Sequence, residues 1–360
     1  MARSSTKRRR TMSRIPGALS ATDVSRFSVV SVFCGCGGSS LGYKQAGGKI
    51  LLAVDNDADA LDVYRTNLPG TRIHQGDVRD LSARKCCRLA GIRPGELHVL
   101  DGSPPCQGFS AVGKRRLGDM RNELVFEFVR LLDGLQPKVF VMENVGGMVR
   151  GVMRLAFADC LESMKASGYR VKAFLLDTQY YNVPQTRERI VFLGVRADLG
   201  IEPSFPKGRS EPQSVRQALK LHGTGGVRNT HFKSEWRSLD MPCVTIVARH
   251  PPVLRLDGSE RPLTFAECSL LQGFPSDWIW PKKIHRYVGN SVPPPFMRAI
   301  AEHVRDEILG VVNKQPPDQT RHEEEQFPPC RENDAVLPLV TIEWDSDVGT
   351  NDGGCKCGNE

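Results

Sequence analysis

The sequence predicts an α/β fold: a doubly wound, mostly parallel sheet that carries a second, smaller domain. Three observations lead there. Between residues 27 and 196, β-branched apolar runs alternate with amphipathic helical stretches, the rhythm of repeated βα units. Polar or reactive side chains stand at the carboxyl ends of those runs, where sheets of this kind bind ligands. From residue 197 the rhythm stops, and Pro, Gly, Arg and His become frequent.

The elements follow in chain order. "FSVVSVF" (27–33) is a buried parallel strand. "GCGG" then turns into a short helix that ends near Gly47 and Gly48. "KILLAVD" (49–55) is the second strand, and "DADALDVYRTNL" is a helix with Ala60, Leu61 and Tyr64 on one face. "TRIHQGD" (71–77) gives a short third strand and "ELHVLDGS" (96–103) a fourth. In "RNELVFEFVRLLDGLQP", Leu124, Val125, Phe128, Val129, Leu131 and Leu132 form a helical stripe that Pro137 ends. "KVFVMENV" (138–145) is the fifth strand. A helix over about 152–167 ends at Gly168, and "YRVKAFLLD" and "RERIVFLGVR" are two further strands.

Composition sets the outer limits. The 360 residues can bury a large core in two domains. No apolar run approaches the roughly 20 residues of a membrane span. Eleven cysteines without framework spacing predict free thiols in a reducing compartment, and Cys355 with Cys357 are too few to ligate zinc. The net charge of +8 understates the basic body, because the tail holds Glu323, Glu324, Glu325, Asp345 and Asp347. Such a body fits a polyanionic partner, nucleic acid above all, although a solvated basic surface has the same composition. Residues 1–26, with "KRRR", read as a flexible basic arm, a composition also compatible with an organelle transit peptide. Residues 311–360 read as an acidic, disordered tail in which "AVLPLVTIEW" (335–344) has the pattern to add a strand.

The chemistry centres on "DGSPPCQGFS" (101–110). Cys106 follows a strand and two prolines, on a stiff turn that points into a crevice. A buried structural thiol is the commonest fate of cysteine, and a redox thiol would want a C-x-x-C, which is missing. A nucleophile needs an acid or base and positive charge nearby. Glu143, at the neighbouring strand end, supplies the acid. Arg187 and Arg189 supply the charge if their strand runs antiparallel, since its start then shares an edge with the other strands' ends. In "FCGCGGSS", Gly35, Gly37 and Gly38 permit a tight turn and close approach of a ligand. Asp55 lies about 20 residues on, where an acid can bind a ribose hydroxyl. Ser40 breaks the dinucleotide pattern G-x-G-x-x-G. With Asp77, the set favours an adenosine-containing ligand without a pyrophosphate site.

Taken together, "FCGCGG", "GSPPCQGFS", "MENV", "QTRERI", "RPLTFAECSLLQGFPSDW" and "GNSVPPPFMRAIAEHV" resemble, in order, the motifs of the C5-cytosine DNA methyltransferases, over residues 27 to 308. The resemblance implies a Rossmann-like methyltransferase fold and S-adenosylmethionine as cofactor. It implies that Cys106 adds to C6 of a cytosine flipped out of duplex DNA, that Glu143 delivers a proton to N3, and that Arg189, with Arg187 near it, steadies O2. The cofactor is expected against Phe33, Gly35, Gly37, Gly38, Asp55, Asp77, Val78, Asn290, Ser291 and Val292, which requires the last helix to fold back onto the first strand. Gln107, Ser110, Asn144, Arg228, Asn229, Lys233 and Arg249 are the expected DNA contacts, with His231 and Arg237 as further candidates. The expected organisation is a catalytic body of 27–196 plus 285–310 and a target-recognition domain of 197–284. Within the latter, "MPCVTIVARH" (241–250) is expected to be a strand and turn with Thr245 and Arg249 inward. Leu270 departs from the family, which often has arginine there, and leaves a local salt bridge or DNA contact open. Other expectations are a monomer, a cytoplasmic setting in a bacterial or phage-type host, no metal, and a possible restriction endonuclease partner in the same system. Two other readings stand beside this one: a related enzyme that methylates tRNA, separable by labelled methyl transfer to tRNA against duplex DNA, and an inactive nucleic-acid-binding relative, against which the intact set Cys106, Glu143, Arg187 and Arg189 speaks.

Overall fold

A computed structural model describes residues 27–105, 123–149, 153–208, 211–230, 234–312 and 340–341. The strands of the large sheet form where the β-branched runs predict them: β1 (Ser28–Val32), β2 (Lys49–Asp55), β3 (Arg72–Gln75), β4 (Val99–Gly102), β5 (Val139–Val145), β6 (Tyr169–Asp177) and β7 (Glu188–Arg196). Helices α1 (Gly38–Gln45), α2 (Ala58–Asn67), α3 (Ala83–Ala90), α4 (Glu123–Leu135) and α5 (Met153–Ala166) fill the crossovers. Asp57 caps α2 by accepting from the amides of Asp59 and Ala60, and Ser82 caps α3 by accepting from that of Lys85.

A second sheet is antiparallel throughout. After α6 (Val215–Leu219) it is built from β8 (Gly225–Arg228), β9 (Arg237–Ser238), β10 (Val253–Leu256) and β11 (Ser259–Pro262), in the order β11-β10-β8-β9. Asp257 (φ 47°) and Gly258 (φ 83°) make the two-residue hairpin between β10 and β11. Helices α7 (Phe265–Leu271), α8 (His285–Asn290) and α9 (Pro294–His303) follow, and α9 runs on through a π-helical turn (Val304–Leu309) into a last helical turn, Gly310–Val312. A short strand β12 (Val340–Thr341) pairs antiparallel with β6. The acidic tail therefore begins after one more helical turn and contributes a strand from within "AVLPLVTIEW". The rest of it, and the N-terminal arm, lie outside the described residues.

The large sheet has the order β12-β6-β7-β5-β4-β1-β2-β3. Strands β1 to β5 are parallel, whereas β7 runs antiparallel between β5 and β6. Helices α3, α4 and α5 cover one face, with Phe128, Leu131 and Phe157 packed against Val30, Leu100 and Phe140. On the other face Tyr43 of α1 and Phe296 and Ile300 of α9 pack with Val29 and Val141, so the last helix does fold back. Gly42 makes this possible: a Cβ there would sit 2.7 Å from the Arg298 nitrogen and the Pro294 oxygen. Packing narrows the small domain relative to the expected 197–284. Phe205 joins the large-sheet core, and Phe274 and Trp278 pack with Tyr64 of α2. The small core runs from Val215 to Leu271 and takes in Val288. The segment 241–250 forms no strand. Only Cys243 bridges to Gln185, and Arg249 is exposed rather than inward.

Candidate active site

The strand ends meet at one cavity of about 540 Å³, within the usual size of small-molecule sites. At the end of β1 the backbone enters the left-handed region at Phe33 (φ 56°), Gly35 (φ 50°) and Gly37 (φ 90°). This turn delivers the chain into the first turn of α1, where Gly38 and Ser39 line the cavity. Gly38 has no room for a side chain, since a Cβ there would overlap the carbonyl oxygen of Val292. The 290–292 turn can close that wall only because position 38 is glycine.

Asp55 ends β2. Its Oδ2 accepts from the amide of Gly35 (2.7 Å) and its Oδ1 from that of Asp57 (2.9 Å). Burial pushes its pKa up against the pull of those amides. Asp77, after β3, accepts from the Arg79 backbone (2.9 Å) and from its guanidinium (3.0 Å to Nε), which holds its carboxyl below the usual range. Phe33, Gly35, Gly38, Asp55, Asp77, Val78, Asn290, Ser291 and Val292 all line the cavity. Gly37 does not line it; it is the residue before α1. Sequence reasoning passed over Ser39, Asp57, Leu124, Arg286 and Tyr287, which also line it. Asp57 carries the strongest missed signal, an acid two residues past Asp55 at a helix cap. Its carboxylate accepts from the Tyr287 hydroxyl (3.0 Å) and from Arg286 (3.1 Å), which ties α8 to α2 across the cavity.

The opposite end of the cavity is built by β4, β5 and β7. Ser103, Pro104 and Pro105 form its wall; Cys106, Gln107 and Ser110 lie outside the described residues, as do His231 and Lys233. Glu143 is buried and pairs with Arg189, Nε to Oε1 at 2.9 Å. The antiparallel register explains this, because Arg189 sits opposite Val145, two residues along β5 from Glu143. Asn144 is buried as well. Its Oδ1 accepts from the Val145 amide (2.8 Å) and its Nδ2 reaches the Pro104 carbonyl (3.4 Å). It therefore ties β5 to the root of the proline loop, and it lines the cavity.

Arg187 lines the cavity too, but its hydrogen bonds go elsewhere. Nη1 donates to Ile246 O (3.1 Å), and Nη2 to Gly289 O (2.8 Å) and Ser291 O (3.3 Å). Burial, reinforced by Arg189 and opposed by Glu143, lowers its pKa. Gln185, fully buried, donates to Leu271 O and Gln272 Oε1, and its Oε1 accepts from the Ile246 amide. In "QTRER" the first and third residues thus tie the start of β7 to Ile246 and to the ends of α7 and α8, and the fifth pairs with Glu143. On the small domain, Arg228 stacks over Trp236 (4.5 Å) and pairs with Glu260 (3.6 Å). Asn229 gives its amide to Thr245 O (3.3 Å), and Arg237 donates to the Thr186 hydroxyl (2.8 Å). Of the described contacts expected for DNA, Arg249 is exposed, Arg228, Asn229 and Arg237 are half-buried, and Asn144 is buried.

Comparison with known proteins agrees with this geometry. The family model described as C-5 cytosine-specific DNA methylase matches residues 27–230 and 220–306. Type II methyltransferase M1.HphI of Haemophilus parahaemolyticus is 35% identical over 324 residues, covering 76% of this chain and 86% of that protein. Type II methyltransferase M.BsuFI of Bacillus subtilis is 30% identical over 317 residues, covering 79% and 74%. Against some other relatives the match is shorter, as with M.NgoPII of Neisseria gonorrhoeae, 34% identical over 202 residues, of which it spans 57%. Among solved structures, a putative DNA modification methyltransferase encoded within a prophage (E. coli) superposes with a TM-score of 0.64 at 22% identity, covering 79% of this chain and 99% of that one. Spodoptera frugiperda DNMT2 does so with 0.58 at 20%, covering 80% and 100%. These two likenesses speak for the fold, a Rossmann-like methyltransferase sheet. Motif order, cavity and family match converge: the chain belongs to the C-5 cytosine-specific DNA methylase family.

Proposed function

We propose that this chain transfers a methyl group from S-adenosylmethionine to C5 of a flipped-out cytosine in a specific duplex DNA sequence, through a transient bond between Cys106 Sγ and C6. One observation carries the reading. A single cavity joins the glycine turn and Asp55 to the Glu143–Arg189 pair, and the Pro104–Pro105 wall between them leads directly into Cys106.

The cavity fits the cofactor. Its volume suits a nucleoside, the Gly38 contact brings backbone close, and Asp55 faces in from a strand end. When bound, S-adenosylmethionine supplies an electrophilic methyl group on a sulfonium. Phe33 packs on the adenine, Asp55 accepts from the ribose, and Asp77 with Val78 reads the adenine edge. Gly35 and Gly38 would approach the methionine end, with Gly37 shaping the turn between them, and Asn290, Ser291 and Val292 would close the wall.

At the other end, Cys106 adds as thiolate to C6, which makes C5 nucleophilic. Glu143 delivers a proton to N3 and Arg189 holds O2. After methylation, which leaves S-adenosylhomocysteine, C5 gives up its proton to solvent, the C6–S bond breaks as the N3 proton returns to Glu143, and the thiolate is restored. Flipping the base costs a few kcal/mol, which contacts by Gln107, Ser110, Arg228, Lys233 and Arg249 offset. The type II names of the relatives favour a restriction–modification setting with a cognate endonuclease. Among the described residues no helix is long and apolar enough to cross a membrane.

Bisulfite sequencing of DNA from cells expressing the chain tests this. Protected cytosines at one fixed word, lost with Cys106→Ala, are expected. Unprotected DNA together with labelled methyl transfer to tRNA would overturn it.

A further inference from the structure

Beneath the cavity lies a buried polar cluster that the reaction above does not use. Asp101, near the end of β4, is 1% exposed. Its Oδ2 accepts from two hydroxyls: Ser31 Oγ at 2.7 Å and Ser39 Oγ at 2.8 Å. Ser31 is its register partner on β1. Ser39 stands in the first turn of α1 and lines the cavity. The buried hydroxyl of Tyr43, one turn further along α1, is close enough to Asp101 to interact with it, although neither that hydroxyl nor Oδ1 has a hydrogen bond of ordinary geometry. Burying a carboxylate is costly, and the preceding residues Val99 and Leu100 show that this strand otherwise takes apolar side chains. The placement of Asp101 gives the carboxyl a use. It holds the turn that would receive the cofactor, and Ser103 and Pro104, two and three residues on, already form the wall that leads to the thiol loop.

We infer that Asp101 is a positioning residue for the donor site: its carboxylate fixes the first turn of α1 against β1 and β4, and so sets the closure of Gly35–Gly38 on the donor. The inference rests on the reading of the cavity as the donor site. It also predicts a pH response. Burial pushes the Asp101 carboxyl up to about 7; the Ser31 and Ser39 hydroxyls oppose this, Glu143 on β5 adds to it, and Tyr43 opposes it. Tyr64 of α2 and Cys34 beyond β1 face it as well. Hydrogen bonds to an ionised acceptor are roughly twice as strong as neutral ones. The grip on Ser39 therefore tightens as pH rises through neutrality.

The test is titration of the full chain with S-adenosylhomocysteine, comparing wild type, Asp101→Asn, Asp101→Val and Ser39→Ala, with melting temperatures alongside. Wild-type affinity is expected to fall several-fold between about pH 8 and pH 6. Asp101→Asn keeps an acceptor for both serines, so it should bind within about threefold of wild type with no pH dependence. Asp101→Val should lose about tenfold, and Ser39→Ala part of that, with KM for the donor raised and kcat unchanged. Ser39→Ala carries the test if Asp101→Val does not fold. Wild-type affinity in Ser39→Ala and in folded Asp101→Val, or the wild-type pH profile in Asp101→Asn, would overturn the inference. A wild-type protein that binds no S-adenosylhomocysteine would overturn the donor-site reading along with it.

Discussion

Replacing Arg187 by lysine separates two roles for this side chain. The family resemblance puts it near the base; the structure spends its guanidinium on three carbonyls. Nη1 holds Ile246, and Nη2 holds Gly289 and Ser291, on the other side of the fork. A lysine ammonium is compact and lacks the planar fork, so it serves one side and abandons the other. One or two hydrogen bonds from a charged donor are lost, at about 1.5–3 kcal/mol each, giving about 1.5–6 kcal/mol of destabilisation. For a chain of this size that lowers the melting temperature by roughly 2–10 °C. Because Gly289 and Ser291 belong to the cavity wall, affinity for S-adenosylhomocysteine should fall with it. Scanning calorimetry, a ligand titration and single-turnover methyl transfer measure the three effects. Unchanged melting and unchanged ligand affinity, with only turnover lost, would refute the clamp and return Arg187 to the base.

Three further outcomes are expected. Gly38→Ala should weaken S-adenosylhomocysteine binding by about tenfold or more, because its Cβ overlaps Val292. Gly35→Ala meets open space and should cost only the roughly 1 kcal/mol of a left-handed backbone; calorimetry of both variants checks the contrast. Glu143→Gln keeps the side chain's size beside Arg189, 2.9 Å away, but removes the group that delivers a proton to N3, so it should abolish turnover while leaving ligand affinity in place, read by single-turnover kinetics. Asp101→Asn should change stability with pH in a defined direction. The folded carboxyl titrates at about 7, above its unfolded value of 3.8. Its stabilising contribution is therefore complete below the unfolded value and lost as pH rises through 7, by at most about 4 kcal/mol. Wild type should melt progressively lower than Asp101→Asn between about pH 5 and pH 8, and parallel melting curves would contradict this.

The large sheet was legible because its signals are local. β2 and β6 match the runs "KILLAVD" and "YRVKAFLLD" end to end, and the reversed direction of β7 follows once Arg189 must reach the edge where Glu143 ends. Helix α3 was missed because its buried stripe consists of Cys86 and Cys87 amid Arg84, Lys85 and Arg88, which reads as a charged loop. The small sheet was missed for a similar reason. "GGVR" and "SERP" are poor in β-branched residues, and the sheet is held by pairing around the Asp257–Gly258 turn, a hairpin signal the composition hid. That Phe33, Asp55, Asp77 and Glu143 meet at one cavity was legible from their places at strand ends. The hydrogen-bond partners of Arg187 and Asn144 were not legible, because they lie on neighbours distant in sequence: Gly289 for one, Pro104 for the other. Segment 241–250 looks like a strand by pattern, yet Gln185 and Thr186 take up its backbone groups instead.

The central claim is that the thiol of Cys106 bonds to the cytosine ring. DNA polymerised with 5-fluoro-dCTP in place of dCTP tests it directly, since fluorine cannot leave C5 as a proton does. Incubated with this DNA and S-adenosylmethionine, the protein should be trapped as a denaturation-resistant adduct whose mass maps to the peptide containing Cys106, and Cys106→Ser should form none. Methylation of ordinary DNA without any such adduct, or an adduct on another cysteine, would contradict the account.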